Sequence, residues 1–189
     1  MPVVLSISLK SLPVDCVQGN HAEHVLTCYD ERNLEVLDIV RGLMTRKQHI
    51  VLLSSCRYNL DRIHMLIGSQ LSCMWNGSYE TDYTRGYPPC ILATYDMVND
   101  NLNISIADAI ILATPASNHA HQQTIRRIIR AVENLSTVIV DLYDNGPMHL
   151  ARSYVYRLRN ISVLNTTSAN VGSKFLHAIC KELSEISQQ

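Results

Sequence analysis

Six short aliphatic runs alternate with stretches of helical periodicity along this chain, and that alternation restricts the fold more than any other feature. The runs are HIVLLSS (49–55), LSCMW (71–75), CILATY (90–95), DAIILAT (108–114), STVIVDLY (136–143) and ISVLNT (161–166). Most are continuously apolar rather than alternating, as in strands covered on both faces. Between them, apolar residues recur at helical spacing over Asn33 to Thr45, Arg57 to Ile67, Asn118 to Glu133, Pro147 to Arg159 and from about Val171 to Ser187. This order predicts an α/β, doubly wound, mainly parallel sheet of about six strands with helices on both faces.

The 189 residues have room for one proper core. Hydrophobic residues make up 47% and charged ones 17%, which excludes a disordered chain. The formal net charge of −1 gives no global field toward nucleic acid or an anionic membrane, so any anion binding has to come from local placement. No apolar run approaches the ~18 residues of a membrane span, and the N-terminal MPVVLSISLKSLP is too short and interrupted for a signal peptide. The expectation is a soluble, intracellular protein with no membrane partner. The six cysteines form no CxxC pair, and several lie among aliphatics in the strand runs, as reduced thiols do. Cys16, His21, His24 and Cys28 have zinc-compatible residue types, but no second half or glycine-rich knuckle accompanies them, so no metal site is assigned.

In doubly wound sheets, binding residues gather where strands end and helices begin. The unusual residues of this chain follow its strand runs: CRYNL after VLLSS, DMVNDNLNI after ILATY, and ASNHAHQQTIRRIIR after IILATP. In the last, helical geometry puts Gln123, Arg126, Arg127 and Arg130 on one side and Ile125, Ile128, Ile129 and Val132 on the other. The apolar side explains docking, but not why three arginines occupy the side left over. No GxxxxGK[ST] phosphate loop, GxGxxG or GxSxG occurs, so no complete catalytic site can be assembled.

Taken in order, three segments resemble the second RecA-like, C-terminal domain of superfamily 2 helicases, with a flavour similar to the XPB-like and large-DNA-virus transcript-release helicases. HIVLLSSCRYNLDRI resembles their motif IV, and ILATYDMVNDNLNI resembles motif V, usually ILATYSMxxEGLDI. ADAIILATPASNHAHQQTIRRIIR resembles the strand into motif VI, usually ending QxxGRxxR, and VIVDLYDNGPMHLARSYVYRLRNISV looks like the family's tail. The match runs from about Arg32 to about Ser162. It implies a RecA-like helicase domain over residues 32–170, with 1–31 as an N-terminal extension or linker packing on it and 171–189 as a C-terminal helix.

The resemblance also implies roles. Arg127 and Arg130 would be arginine fingers, with Gln123 the motif VI glutamine, reaching the phosphates of ATP held by a first RecA-like domain. Asn101, Asn103 and Arg126 would stand at the nucleotide. Ser54, Ser55, Arg57 and Thr94 would contact nucleic-acid phosphates, single- or double-stranded, without reading sequence. ATP and Mg would be needed only with the first domain, supplied in trans or missing from these residues, because this sequence has no phosphate loop. The viral side of the resemblance adds the virion, or a viral replication or transcription compartment, as a place of work.

Three positions depart from the family pattern. Asn101 stands for the motif V glycine, Asn103 for its aspartate and Arg126 for the motif VI glycine. These departures favour an alternative, a degenerate, non-catalytic helicase-derived binding or scaffold module. A third reading is an unrelated α/β enzyme using His119, His121 or Asp141 in acid–base work.

Overall fold

The computed structural model describes residues 3–9, 29–46, 49–75, 88–99, 102, 104, 107–114, 119–132, 137–144 and 166–170. Among the described residues, seven strands make one sheet: β1 (Val3–Leu9), β2 (Ile50–Ser54), β3 (Ser72–Met74), β4 (Cys90–Thr94), β5 (Ala109–Leu112), β6 (Val138–Asp144) and β7 (Thr166–Asn170). Their order across the sheet is β3-β4-β2-β5-β6-β1-β7, and every pairing is parallel. Three α-helices are described, α1 (Asp30–Met44), α2 (Arg57–Ile67) and α3 (His119–Val132), and a 3-10 turn, Tyr95–Asn99, follows β4.

Parallel strands need crossovers, and crossover helices cover both faces. The strand residues therefore split by parity into two apolar clusters. Ile50, Leu52, Leu92, Ile111, Val138 and Val140 face α1 and α2, which contribute Val36, Ile39, Val40, Leu43, Leu60 and Ile63. Val51, Leu53, Ile91, Ala93, Ile110, Leu112 and Ile139 face the other way, against Tyr95 and the Ile125, Ile128 and Val132 side of α3. Each fully buried aliphatic side chain contributes about 1.5–3 kcal/mol, so a two-sided cover dominates the stability of the sheet.

Helix α2 stops at Gly68, whose φ of 94° suits a residue without a Cβ, and the Gly68 amide donates to the His64 carbonyl at 2.9 Å. Helices α1 and α2 are tied to each other by two fully buried asparagines, Asn59 Nδ2 donating to Asn33 Oδ1 at 2.8 Å.

The expected α/β doubly wound architecture is what the chain adopts, with differences in detail. The first five strand candidates correspond to β2 to β6, and the helices predicted from Asn33, Arg57 and Asn118 correspond to α1, α2 and α3. Strand β1 was not among the candidates; its VVLSISL alternates, and its position at the chain start reads as an extension. It pairs with β6 from Val3↔Val138 to Leu9↔Asp144 and with β7 on its other side. The 161–166 run lies outside the described residues except for Thr166, which opens β7. The helices expected over Pro147 to Arg159 and beyond Val171, and the Cys16, His21, His24, Cys28 set, also lie outside them. Among the described residues no group of three metal-ligating side chains occurs, and no helix is long and apolar enough to cross a membrane.

Cys90 behaves as the small hydrophobe its surroundings imply. It is fully buried in β4, and burial, then the nearby Cys73 thiol, push it from 9.0 up to about 12. The folded state thus holds this proton more tightly than the unfolded chain does. Its contribution is complete below pH 9.0 and is lost as pH rises toward about 12. We expect the stability advantage of the wild type over Cys90→Ala, measured by urea denaturation, to shrink across that window; a constant difference would show that the buried thiol does not resist ionisation.

Candidate nucleotide and nucleic-acid interface

The residues of interest lie at the carboxyl end of the sheet, where β2, β4, β5 and β6 finish side by side. Ser54 and Thr94 are register partners across β2 and β4, so the structure brings together two residues forty positions apart. Ser54 is fully buried, and its Oγ accepts from the Cys56 amide at 3.2 Å. Its hydroxyl closes the β2–α2 turn and faces the interior. Ser55 is half-buried, with its amide donating to Thr114 Oγ1 at 2.7 Å. The Ser55 and Cys56 amides are therefore engaged within the domain, which leaves the exposed Arg57 and the half-buried Thr94 as the outward members of the predicted phosphate set.

Arg57 opens α2 and places Nε 3.2 Å from Asp61 Oδ1, with the two side chains 47% and 51% exposed. An exposed i,i+4 pair of this kind is worth about 0.3–0.5 kcal/mol, less than a charge-assisted bond to phosphate at about 1.5–3 kcal/mol. The pair does not hold Arg57 back from an anion.

Helix α3 is two-faced, as its sequence predicts. Thr124, Ile125, Ile128 and Val132 are buried, whereas Gln123, Arg126, Arg127 and Arg130 are all exposed. At 100° per residue the four outward residues span an arc of about 100°. The sequence HAHQQTIRRIIRAV contains no carboxylate, so the helix itself carries no charge opposing its three guanidiniums. Helix α3 also packs on the 3-10 turn that continues from Thr94, joining the arginine helix to the end of β4.

Asn101 and Asn103 lie outside the described residues; Leu102 and Ile104 beside them are buried in the α3-side cluster. The side chains of His119 and His121 are likewise outside the description. Asp141 is fully buried in β6, removed from any dissolved substrate.

The sequence reading missed a buried ion pair at this edge. Arg32, in the first turn of α1, donates from Nε to Asp144 Oδ1 at 2.7 Å and from Nη2 to Asp144 Oδ2 at 3.0 Å. Nη2 also donates to the Ala113 carbonyl at 2.5 Å. Arg32 thus clamps the ends of β5 and β6, the strands on either side of α3 in the chain. Both side chains are 2% or less exposed. The signal was present: Arg32 stands four residues before Val36 and eight before Val40, on the apolar stripe of its own helix, where a charge has to find a partner.

No family model matches this sequence, and no curated protein matches it. Solved structures do. T4 UvsW aligns with a TM-score of 0.69 at 15% identity, over 89% of this chain and 41% of that one. The S. cerevisiae Dbp5 C-terminal domain, solved with Gle1 and IP6, aligns at 0.61 and 10% identity, over 80% of this chain and 92% of that domain. An XPD helicase aligns at 0.56 and 11% identity, over 90% of this chain and 36% of the helicase. The fold is the one seen in the Dbp5 C-terminal domain and in the aligned parts of UvsW and XPD. This chain spans 41% of the length of UvsW and 92% of that of the Dbp5 domain. In it, the segments resembling motifs IV, V and VI become neighbours along one sheet edge.

The clamp supplies a stability test. Breaking a buried, bidentate pair from one side leaves an uncompensated charge, so Arg32→Ala is expected to cost about 3–5 kcal/mol in urea unfolding. The apolar double replacement Arg32→Met with Asp144→Leu should recover most of it. A single-variant cost below about 1 kcal/mol would mean that Arg32 behaves as a surface charge.

Proposed function

We propose that this chain is the C-terminal half of an ATP-dependent nucleic-acid helicase or translocase, working with a first RecA-like domain that carries the phosphate loop. The observation that carries the reading is the outward arc of α3: Gln123, Arg127 and Arg130 are exposed together on a helix whose other side is locked into the sheet. A planar guanidinium on a rigid element suits a γ-phosphate brought by a companion domain, because it grips two oxygens and never loses its charge. Gln123, Arg127 and Arg130 would hold the nucleotide's phosphates from this side, and Arg126 would stand beside them. Asn101 and Asn103 would reach the nucleotide from the motif V segment. ATP with Mg would supply the phosphoryl group and the metal charge; both belong with the first domain, since these 189 residues contain no phosphate loop. Arg57 and Thr94, on their shared edge, would hold a nucleic-acid backbone, with Ser54 and Ser55 shaping the turn beneath them.

A second reading has its own support. Arg126 puts an exposed, bulky cation where motif VI has glycine, and Asn103 replaces the motif V carboxylate. Both changes fit a helicase-derived module kept for binding rather than hydrolysis. The Dbp5 C-terminal domain bound to Gle1 and IP6 is a case of this fold holding a partner protein.

The two readings separate in one assay. With a phosphate-loop first domain added, the full chain should give nucleic-acid-stimulated ATP hydrolysis, and Arg127→Ala should lower its kcat by about 10³-fold or more. Hydrolysis unaffected by Arg127→Ala would sink the finger assignment and leave the binding module as the better account. Arg57→Ala should weaken single-stranded oligonucleotide binding across all sequences and reduce its salt slope by about one.

A further inference from the structure

The carboxyl edge contains a set of buried contacts that the proposed roles do not use, and they converge on Thr114. This residue, two beyond the end of β5, is fully buried. Its Oγ1 accepts from the Ser55 amide at 2.7 Å and lies 3.0 Å from Ser55 Oγ. Its carbonyl accepts from the Tyr95 hydroxyl at 2.8 Å. The preceding residue is fixed as well: the Ala113 amide donates to Leu53 at 2.8 Å, and the Ala113 carbonyl takes the Arg32 bond. One side chain thus touches the turn between Ser54 and Arg57 while its backbone holds the residue that follows Thr94. Tyr95 in turn is fully buried in the cluster that contains Ile125 and Ile128 of α3.

The three bonds of Thr114 are 2.7–3.0 Å long, and both Thr114 and Tyr95 are fully buried. Pulling the Ser55 turn away from Thr114 would strand the fully buried Thr114 hydroxyl, which costs about 1–3 kcal/mol, so the turn, Thr114 and Tyr95 should shift as a unit. Close packing of Tyr95 against α3 passes such a shift to the arginine helix. A threonine acting only as a strand-end cap would hold the turn but would transmit nothing.

We propose that Thr114 is a positioning residue that couples phosphate occupancy at the Arg57 turn and Thr94 to the orientation of α3 and its arginines. The proposal rests on the helicase reading above, and makes nucleic acid the regulator of the finger helix through a hydroxyl that touches neither ligand.

Hydrogen exchange on the full chain, with single-stranded oligothymidylate and oligouridylate as probes, tests it. In the wild type, a bound oligonucleotide should slow exchange both at the turn and along α3, the latter by about tenfold. Thr114→Ser keeps the hydroxyl and should retain both effects. Thr114→Val keeps the shape without the hydroxyl; it should bind with unchanged affinity and protect the turn, while α3 slows by less than about twofold. Tyr95→Phe, which deletes only the bond to the Thr114 carbonyl, should reduce α3 protection to an intermediate level and serves if the valine variant does not fold. Equal α3 protection in the wild type, Thr114→Val and Tyr95→Phe overturns the coupling and leaves the helicase reading standing. So does wild-type protection confined to the turn. If neither oligonucleotide binds the wild type, the nucleic-acid assignment falls and the coupling with it.

Discussion

The physical constraint on which this structure depends is that an all-parallel sheet has no face to give to water. Each strand must bury both of its sides, so helices have to lie above and below, and the core divides into two clusters set by strand parity. Polar groups are thereby driven to the strand ends. At the carboxyl end the chain leaves each strand for the next helix, and there backbone amides, hydroxyls and guanidiniums concentrate. The position of the candidate interface is thus a result of burial, before any chemistry is considered.

That edge also holds a buried ion pair. Bringing Arg32 and Asp144 out of water is costly, and only the bidentate geometry, with the Ala113 carbonyl as a third acceptor, offsets the loss of hydration. The result is directional in a way that apolar packing is not. A leucine in place of Arg32 would fill space but could not dictate where β5 hands the chain on toward α3. The arginines on α3 are in the opposite situation, exposed at the surface. Similar guanidiniums thus serve as a fixed strut in the interior and stand exposed on the surface.

Most of the sheet was readable because continuous apolar runs such as HIVLLSS and DAIILAT leave a parallel strand little alternative. Helix α3 was readable to its faces, since four isoleucines and valines at helical spacing can dock in only one orientation. Strand β1 was less legible: VVLSISL alternates, and alternation at a chain start does not reveal that a partner waits more than a hundred residues away. The site residues divide in the same manner. Exposure of Arg57, Arg126, Arg127 and Arg130 followed from local pattern. The inward hydroxyl of Ser54 and the link from Ser55 to Thr114 did not, because both depend on which strands lie side by side. Arg32 was legible in principle from its place on an apolar stripe, yet its partner lies 112 residues on, beyond the reach of periodicity.

Strand β1, the first of the sheet in sequence order, lies between the last two, β6 and β7. On a ribosome, the β3-β4-β2-β5 portion can assemble while synthesis continues, but β1 lacks both of its sheet neighbours until β6 has emerged. Throughout that interval its backbone donors and acceptors form an unguarded ribbon, the kind of surface that chaperones engage and that neighbouring nascent chains can capture.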